Sequence, residues 1–146
     1  MSDLGRCARI GLDSSVLVYH LEDIRPYSDL TEHVFTAIAA GQPSAVLSTI
    51  SVAELLVKPW KARQPSRVAG FERFVVALPN SAVVAPDVGV ANEAARLRAA
   101  YGIGLADALL VATARRQGAE AFVTNDRTLR RIRREGISIL VLDDYV

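Results

Sequence analysis

The chain has few of the residues that build disulfides or zinc sites. Its 146 residues include one cysteine, Cys7, and two histidines, His20 and His33. One cysteine excludes an internal disulfide and a cysteine-based zinc cluster. The histidines are far apart in the sequence and fall in helical patterns, where surface positions are expected. We therefore do not expect a zinc site.

Long apolar runs are missing as well. No apolar stretch reaches the roughly 18 residues that a membrane helix needs, and the start, MSDLGRCARIGLD, lacks the apolar core of a secretory signal. With 51% hydrophobic and 23% charged residues, the composition excludes disordered and fibrous proteins. The length fits a single domain over residues 1–146. We expect a soluble cytoplasmic protein that does not associate with membranes.

Charge is balanced overall but segregated along the chain. The net charge is +1, from 17 basic and 16 acidic residues. Residues 1–57 carry three basic and seven acidic groups, residues 58–134 fourteen basic and six acidic, and residues 135–146 three acidic groups only. Fifteen of the 17 cations are arginines, whose planar fork of donors suits phosphate. A coding bias toward arginine would give the same composition.

Alternating strand and helix patterns predict an α/β fold with right-handed crossovers. Five segments are continuously apolar, which is typical of parallel strands buried on both faces: 9–13, 45–49, 82–86, 121–125 and 138–143. Helical spacing is found at 14–22, 27–40, 52–57, 65–78, 88–101, 105–117 and 127–134. Two prolines predict a break over 58–65, in which Trp60 is expected to anchor the local core. A partner-facing aromatic is the alternative for Trp60.

Carboxylates follow the predicted strands, at the edge where open α/β sheets bind ligands. Asp13 ends the first strand, Glu54 lies just after the second, Asp107 is in the first turn of an apolar helix, and Asp126 follows the fourth strand. Each has a structural alternative. Asp13 and Asp126 are possible helix N-caps, Ser51 and Glu54 a capping box, and Asp107 a partner of the helix dipole.

Asp107 is the hardest of these acids to explain structurally. It is the only charge in LADALLVATA, and the nearest basic residues of that helix, Arg115 and Arg116, are two turns away. A buried unpaired carboxylate is costly unless it is protonated or bound to a metal. Two carboxylates about 4 Å apart repel by about 4 kcal/mol at an effective dielectric near 20. Because oxygen ligands suit Mg²⁺ or Mn²⁺, we expect the four acids to hold such an ion.

The order of the four acids resembles that of the PIN-domain nucleases, and the short chain resembles a VapC-type toxin. The matching strings are IGLDSSVLVYHLE, STISVAELL, GIGLADALLVATA and FVTNDRTLRR. The resemblance implies a three-layer α/β/α domain with a central parallel sheet of four to five strands. It further implies a Mg²⁺- or Mn²⁺-dependent endoribonuclease that leaves 5′-phosphate and 3′-hydroxyl ends, a homodimer, and a cognate antitoxin protein.

Supporting residues follow from the same resemblance. Thr124 matches the Thr or Ser that commonly precedes the fourth acid by two positions, so its hydroxyl is expected to orient Asp126 or a water. An ordinary strand residue is the alternative for Thr124. Ser15 stands where the family often has asparagine, which implies a retuned site. Asp143 and Asp144 lie outside the family pattern and are expected to close the last strand at the surface, although one of them could join the acidic groove.

Basic residues follow two of the acids and are candidates for RNA contact. They are Arg127, Arg130, Arg131, Arg133 and Arg134 after Asp126, and Lys58, Lys61, Arg63 and Arg67 after Glu54. Phosphate contacts of this kind supply affinity without sequence information. A solvated helix face is the alternative for each residue taken singly.

Three other functions compete with the nuclease. A non-catalytic PIN-like module would bind RNA or protein, but such a site tends to lose some acids, and all four are present. A haloacid-dehalogenase-type phosphotransferase needs a second aspartate two residues after the first, where Ser15 stands. A receiver domain needs an aspartate at the end of the third strand, which here ends at Ala85 and Pro86, and a lysine near the last strand. The only lysines are Lys58 and Lys61.

Overall fold

A five-stranded parallel sheet forms the centre of the fold, in the strand order β3-β2-β1-β4-β5. The computed structural model describes residues 1–146. The strands are β1 (Arg9–Leu12), β2 (Ser44–Ser48), β3 (Ser81–Val84), β4 (Ala121–Thr124) and β5 (Ser138–Val141). The helices are α1 (Ser14–Leu21), α2 (Tyr27–Ala39), α3 (Thr49–Lys61), α4 (Pro65–Ala77), α5 (Val88–Tyr101) and α6 (Leu105–Arg116). Three 3₁₀ segments cover Ser2–Arg6, Arg127–Glu135 and Leu142–Tyr145.

Each face of the sheet is covered by a separate hydrophobic layer. Alternate strand residues such as Ile10 and Leu12 face the core shared with α1 to α4. Phe122 of β4 faces the opposite way, into the core formed with α5, α6 and the 3₁₀ segment 127–135. This arrangement confirms the predicted α/β/α layers and the parallel sheet.

The strand order creates a crevice at the centre of the sheet. The chain proceeds outward from β1 to β2 and β3, and then returns to place β4 on the other side of β1. Open α/β sheets bind ligands at such a reversal, beyond the carboxyl ends of the strands. The ends of β1 and β4 are therefore the expected place for a site.

Two expectations about burial are wrong. The third strand is not buried on both faces: β3 is an edge strand, and Val83 is 38% exposed. An edge strand has one neighbouring strand, and its apolar sequence alone does not reveal its place in the sheet. Surface placement is wrong for His20, which is partly buried with its ring 4.4 Å from that of Phe35 and 5.4 Å from that of Phe74. His33 is exposed as expected.

The helix after β2 also differs from the prediction of 52–57. It begins at Thr49, because Ser48 is its N-cap and accepts a hydrogen bond from the amide of Ile50 (3.1 Å). It continues through Pro59 to Lys61, so the predicted break over 58–65 shrinks to three residues. The side chain of Trp60 is 59% exposed and does not anchor the core.

Two further observations complete the fold. The predicted helix 127–134 is a 3₁₀ segment, in which Leu129 and Ile132 are the buried residues. No helix combines the length and the apolar character that crossing a membrane requires.

A glycine in β1 allows α6 to approach the sheet. A Cβ at Gly11 would lie 2.5 Å from Cβ of Ala114 and 2.8 Å from Cδ2 of Phe122. We expect Gly11→Ala to lower the free energy of unfolding by about 1–3 kcal/mol or more, because these buried neighbours must shift. Urea unfolding measures the change.

A second glycine provides the matched control. Gly70 lies inside α4 with no atom within 4 Å of an added Cβ. Gly70→Ala should raise the free energy of unfolding by about 0.5–1 kcal/mol. Equal effects of the two substitutions would contradict the close packing of α6 on β1.

Candidate active site

The four acids lie together at the carboxyl edge of the sheet. Asp13 follows β1 and Asp126 follows β4, while Glu54 lies on α3 directly after β2. Asp107 is in the first turn of α6, which packs against β1 and β2. Their proximity is evident from the electrostatics, since the charges of the other three acids all act on Asp107. Parallel strands end at one edge, and this brings residues more than 100 positions apart into one site.

Asp13 is a buried carboxylate that is held by hydroxyl groups. It is 6% exposed. Its Oδ2 accepts hydrogen bonds from the hydroxyls of Thr124 (2.6 Å) and Ser15 (3.3 Å), and its Oδ1 accepts one from Ser14 (3.3 Å). It occupies the N-cap position of α1 but makes no side-chain capping bond. The capping interpretation of Asp13 is therefore wrong, and the carboxylate is oriented for another purpose.

Thr124 connects the first acid with the fourth. Its hydroxyl donates to Asp13 and accepts from the backbone amide of Asp126 (3.0 Å). Thr124 is fully buried. The hydroxyl therefore fixes the Asp13 carboxylate and the backbone at Asp126 together, a role that an apolar strand residue could not fill.

Asp126 combines a structural contact with its place in the site. Its Oδ1 accepts hydrogen bonds from the backbone amide (2.9 Å) and the hydroxyl (2.7 Å) of Thr128. Asp126 thereby caps the 3₁₀ segment 127–135. The capping interpretation is confirmed for Asp126. For Ser51 and Glu54 it is wrong, because α3 begins before Ser51 and is capped by Ser48. Glu54 is exposed near Asp13.

Negative charge accumulates here without a cation to balance it. Burial, the charges of Asp13, Asp126 and Glu54, and a hydrogen bond to Asp126 raise the pKa of Asp107 from 3.8 to about 6. Partial burial and then the charge of Asp13 raise the pKa of Glu54, against a hydrogen bond with Ser14. None of the four acids forms an ion pair with an arginine, lysine or histidine.

The four carboxylates are the kind of ligand that a hard divalent cation prefers, although their side chains do not occupy ligating positions in this structure. As they stand, no three His, Cys, Asp or Glu side chains could hold a metal ion. Carboxylate oxygens with excess negative charge are nevertheless what Mg²⁺ and Mn²⁺ prefer.

The basic candidates divide into paired and unpaired residues. Arg127 lies 3.4 Å from Asp143, Arg130 forms an ion pair with Asp144, and Lys58 Nζ lies 2.8 Å from Glu22. Arg131 and Lys61 form no ion pair and are exposed. These pairings were not predicted, and the three acidic residues among positions 135–146 were the signal that could have indicated the two that involve Asp143 and Asp144.

Asp143 has a larger role than closing the last strand. Its Oδ1 accepts from the hydroxyl of Tyr27 (2.6 Å) and from the amide of Asn125 (3.3 Å), whose own Oδ1 accepts from the backbone of Asp143 (2.9 Å). Tyr27 stacks on Tyr19 at 4.4 Å between ring centroids. This cluster attaches the turn after β5 to the residue that precedes Asp126.

Comparison with known proteins identifies the fold. A family model described as the PIN domain matches residues 10–135, a span that contains all four acids. The chain belongs to the PIN-domain family. A comparison with curated protein sequences gives no match.

Solved structures of similar fold include toxin–antitoxin proteins. DNA-bound VapBC from Salmonella typhimurium is 20% identical, with 92% of this chain and 98% of that chain covered and a TM-score of 0.72. VapBC2 from Rickettsia felis, bound to a promoter fragment, is 18% identical over 90% and 96% of the chains, with a TM-score of 0.70. VapC20 from Mycobacterium tuberculosis, described as a sarcin–ricin loop cleaving toxin, is 12% identical over 77% and 86%, with a TM-score of 0.62. At these identities the likeness is one of fold.

The crowding of the acids predicts a pH-dependent gain in stability for Asp107→Asn in metal-free protein. A carboxyl whose pKa is raised by folding destabilises the fold once it ionises, so the penalty grows from about pH 4 to about pH 6 and is complete above that. At pH 7.5 we expect Asp107→Asn to raise the free energy of unfolding by about 1 kcal/mol net, after solvent screening and the lost helix-dipole interaction.

Urea unfolding in EDTA at pH 4 and pH 7.5 measures this effect. The difference between variant and wild type should nearly vanish at pH 4. Glu72→Gln is the control, because Glu72 is exposed and forms no ion pair. A stability difference for Asp107→Asn that is the same at both pH values would contradict the repulsion among the acids.

Proposed function

We propose that this PIN domain is a Mg²⁺- or Mn²⁺-dependent endoribonuclease and the toxin of a toxin–antitoxin pair that inhibits translation or growth. The observation that carries the proposal is the group of four carboxylates at the strand reversal, which has no cationic partner. Burial and the charges of the other three acids raise the pKa of Asp107 within this group. The likeness in fold to VapBC proteins and to a toxin described as cleaving the sarcin–ricin loop supports it.

Each acid has a distinct part in the proposed reaction. Asp13, held by three hydroxyls, and Asp107 would be the direct metal ligands. A bound Mg²⁺ or Mn²⁺ would supply Lewis-acid polarisation of the phosphodiester and a water of lowered pKa. Glu54, exposed and with a raised pKa, orients the attacking water or accepts its proton. Asp126 is available to a second ion through the oxygen that does not cap the 3₁₀ segment.

Two supporting hydroxyls keep this arrangement in place. Ser15 donates to Asp13 at the position where the family often has asparagine, and Thr124 joins Asp13 to the backbone of Asp126. Because these donors fix the orientation of the carboxylate, they support the proposed role of Asp13 as a metal ligand.

We also propose a cognate antitoxin, a homodimer and a cytoplasmic site of action. The proteins of similar fold described as VapBC are toxin–antitoxin complexes, which supports the antitoxin. The proposed RNA substrate supports a cytoplasmic site of action. Light scattering of the purified protein, alone and with the product of a neighbouring antitoxin gene, would give the masses of both assemblies.

The central test is cleavage of total cellular RNA by purified protein with Mg²⁺, with Mn²⁺ and with EDTA. We expect cutting that requires the metal and that leaves 5′-phosphate ends, detected with a 5′-phosphate-dependent exonuclease. Asp107→Ala and Asp13→Ala should each reduce the rate by about a hundredfold or more. Glu72→Gln is the matched acidic control and should cut as wild type does.

One observation favours a second function. Since no three acids are in ligating positions, the domain could bind RNA or a protein without cleaving. RNA binding that persists with Mn²⁺ present, without cutting and with no effect of Asp107→Ala, would support this module and contradict the nuclease. An Asp13→Ala variant that cuts RNA as fast as wild type would overturn the assignment of the metal site.

A further inference from the structure

An arginine-lined pocket lies beside the four acids. It is open, has a volume of about 640 Å³, and is bounded by Tyr101 at the end of α5 and by the 3₁₀ segment 127–135. Five of its seven lining residues are arginines, Tyr101 is the only hydrophobic one, and none is acidic. Such a concentration of guanidinium groups attracts anions.

Only three of the five arginines are free to meet an external anion. Arg127 and Arg130 pair with Asp143 and Asp144 of the turn after β5. The other three form no ion pair and are exposed, and they are Arg131, Arg133 and Arg134. The acidic end of the chain therefore neutralises one part of the arginine-rich segment and leaves the other uncompensated.

The backbone that carries these free arginines is held at both ends. Asp126 caps the start of the segment. At its end, Glu135 accepts from Arg96 (2.7 Å) and lies 3.3 Å from Arg115. Leu129 and Ile132 are fully buried between these ends. A ligand therefore does not have to order the backbone, which lowers the entropic cost of binding.

The pocket and the acids share residues. Thr128 lines the pocket and donates to Asp126. On the other wall, Tyr101 is followed by the short connection to α6, whose first turn carries Asp107. A guanidinium nitrogen of Arg131 lies 4.0 Å from the position of a Cβ at Gly102, in that connection. The pocket and the acidic site are therefore adjacent through Thr128 and through the connection from α5 to α6.

We propose that Arg131, Arg133 and Arg134 bind backbone phosphates of the RNA strand next to the bond that is cut, whereas Arg127 and Arg130 act as internal braces. The inference rests on the proposed nuclease and specifies how it holds its substrate. An acidic centre repels RNA, and unpaired guanidinium groups at its edge offset this by charge-assisted hydrogen bonds to phosphate. An acidic protein segment is a poorer fit, since protein interfaces have an apolar core and this pocket has almost none.

The test measures RNA binding in a form that does not cut. In an Asp107→Asn background, the pocket variant carries Arg131→Gln, Arg133→Gln and Arg134→Gln. The control carries Arg6→Gln, Arg73→Gln and Arg116→Gln, which remove the same charge from exposed residues outside the pocket. Arg6 precedes β1 and Arg116 ends α6, so both lie toward the opposite edge of the sheet. Fluorescence anisotropy of a labelled single-stranded RNA 20-mer at several KCl concentrations gives affinity and salt dependence.

At 0.1 M KCl we expect the affinity of the pocket variant for RNA to fall by at least about tenfold. Its slope of log affinity against log salt should be shallower by about 2, since each lost phosphate contact removes about 0.7 for single strands. The control should change both quantities far less. Urea unfolding of both variants shows that each is folded.

Two outcomes would overturn the proposal. One is equal RNA affinity and slope in the pocket and control variants. The other is unchanged RNA binding with lost binding of poly-L-glutamate, which would assign the pocket to an acidic protein partner. Failure of the nuclease proposal is separable, because a wild-type protein that does not cut RNA can still lose RNA affinity in the pocket variant.

Discussion

Uncompensated negative charge at the carboxyl edge of the sheet is the constraint on which the rest of this site depends. Asp13, Glu54, Asp107 and Asp126 are brought there by parallel strands and the helices that follow them, and the chain supplies no cation to pair with them. The fold therefore tolerates repulsion that raises the pKa of Asp107 to about 6. The proposed divalent cation would remove this cost, and hydroxyl groups rather than basic groups hold Asp13 in place.

The basic residues are arranged around the same constraint. They lie outside the acidic centre, on the 3₁₀ segment that Asp126 caps and at the end of α3. Thr128 contacts both the acidic site and the arginine pocket, since its hydroxyl donates to Asp126 and the residue lines the pocket. Separation of the charges in space prevents internal pairing that would cancel both functions. Because Thr128 contacts Asp126 and lines the pocket, the proposed RNA strand on the arginines would lie next to the acids.

Much of this arrangement was predictable from the sequence, because it depends on local patterns. Continuous apolar segments predicted all five strands, and the isolated Asp107 in an apolar helix indicated a site. What failed depends on tertiary context. The edge position of β3, the continuation of α3 through Pro59 and the exposure of Trp60 are set by which elements cover each other, and composition does not encode that. The pairing of Arg127 and Arg130 with Asp143 and Asp144 was not predicted for the same reason, since it joins residues that meet only after β5 has added to the sheet.

That pairing gives the turn after β5 a part in the site. Asp143 is bound by Tyr27 and Asn125 as well as by Arg127, so one carboxylate connects α2, the residue before Asp126, and the arginine-rich segment. The contacts hold the start of the segment while Glu135 holds its end. With both ends fixed, the backbone that carries the free arginines keeps its place relative to Asp126 and Asp107. The segregation of charge along the sequence thus has a structural meaning, because the acidic end of the chain balances the arginines that position the segment and leaves the others available to phosphate.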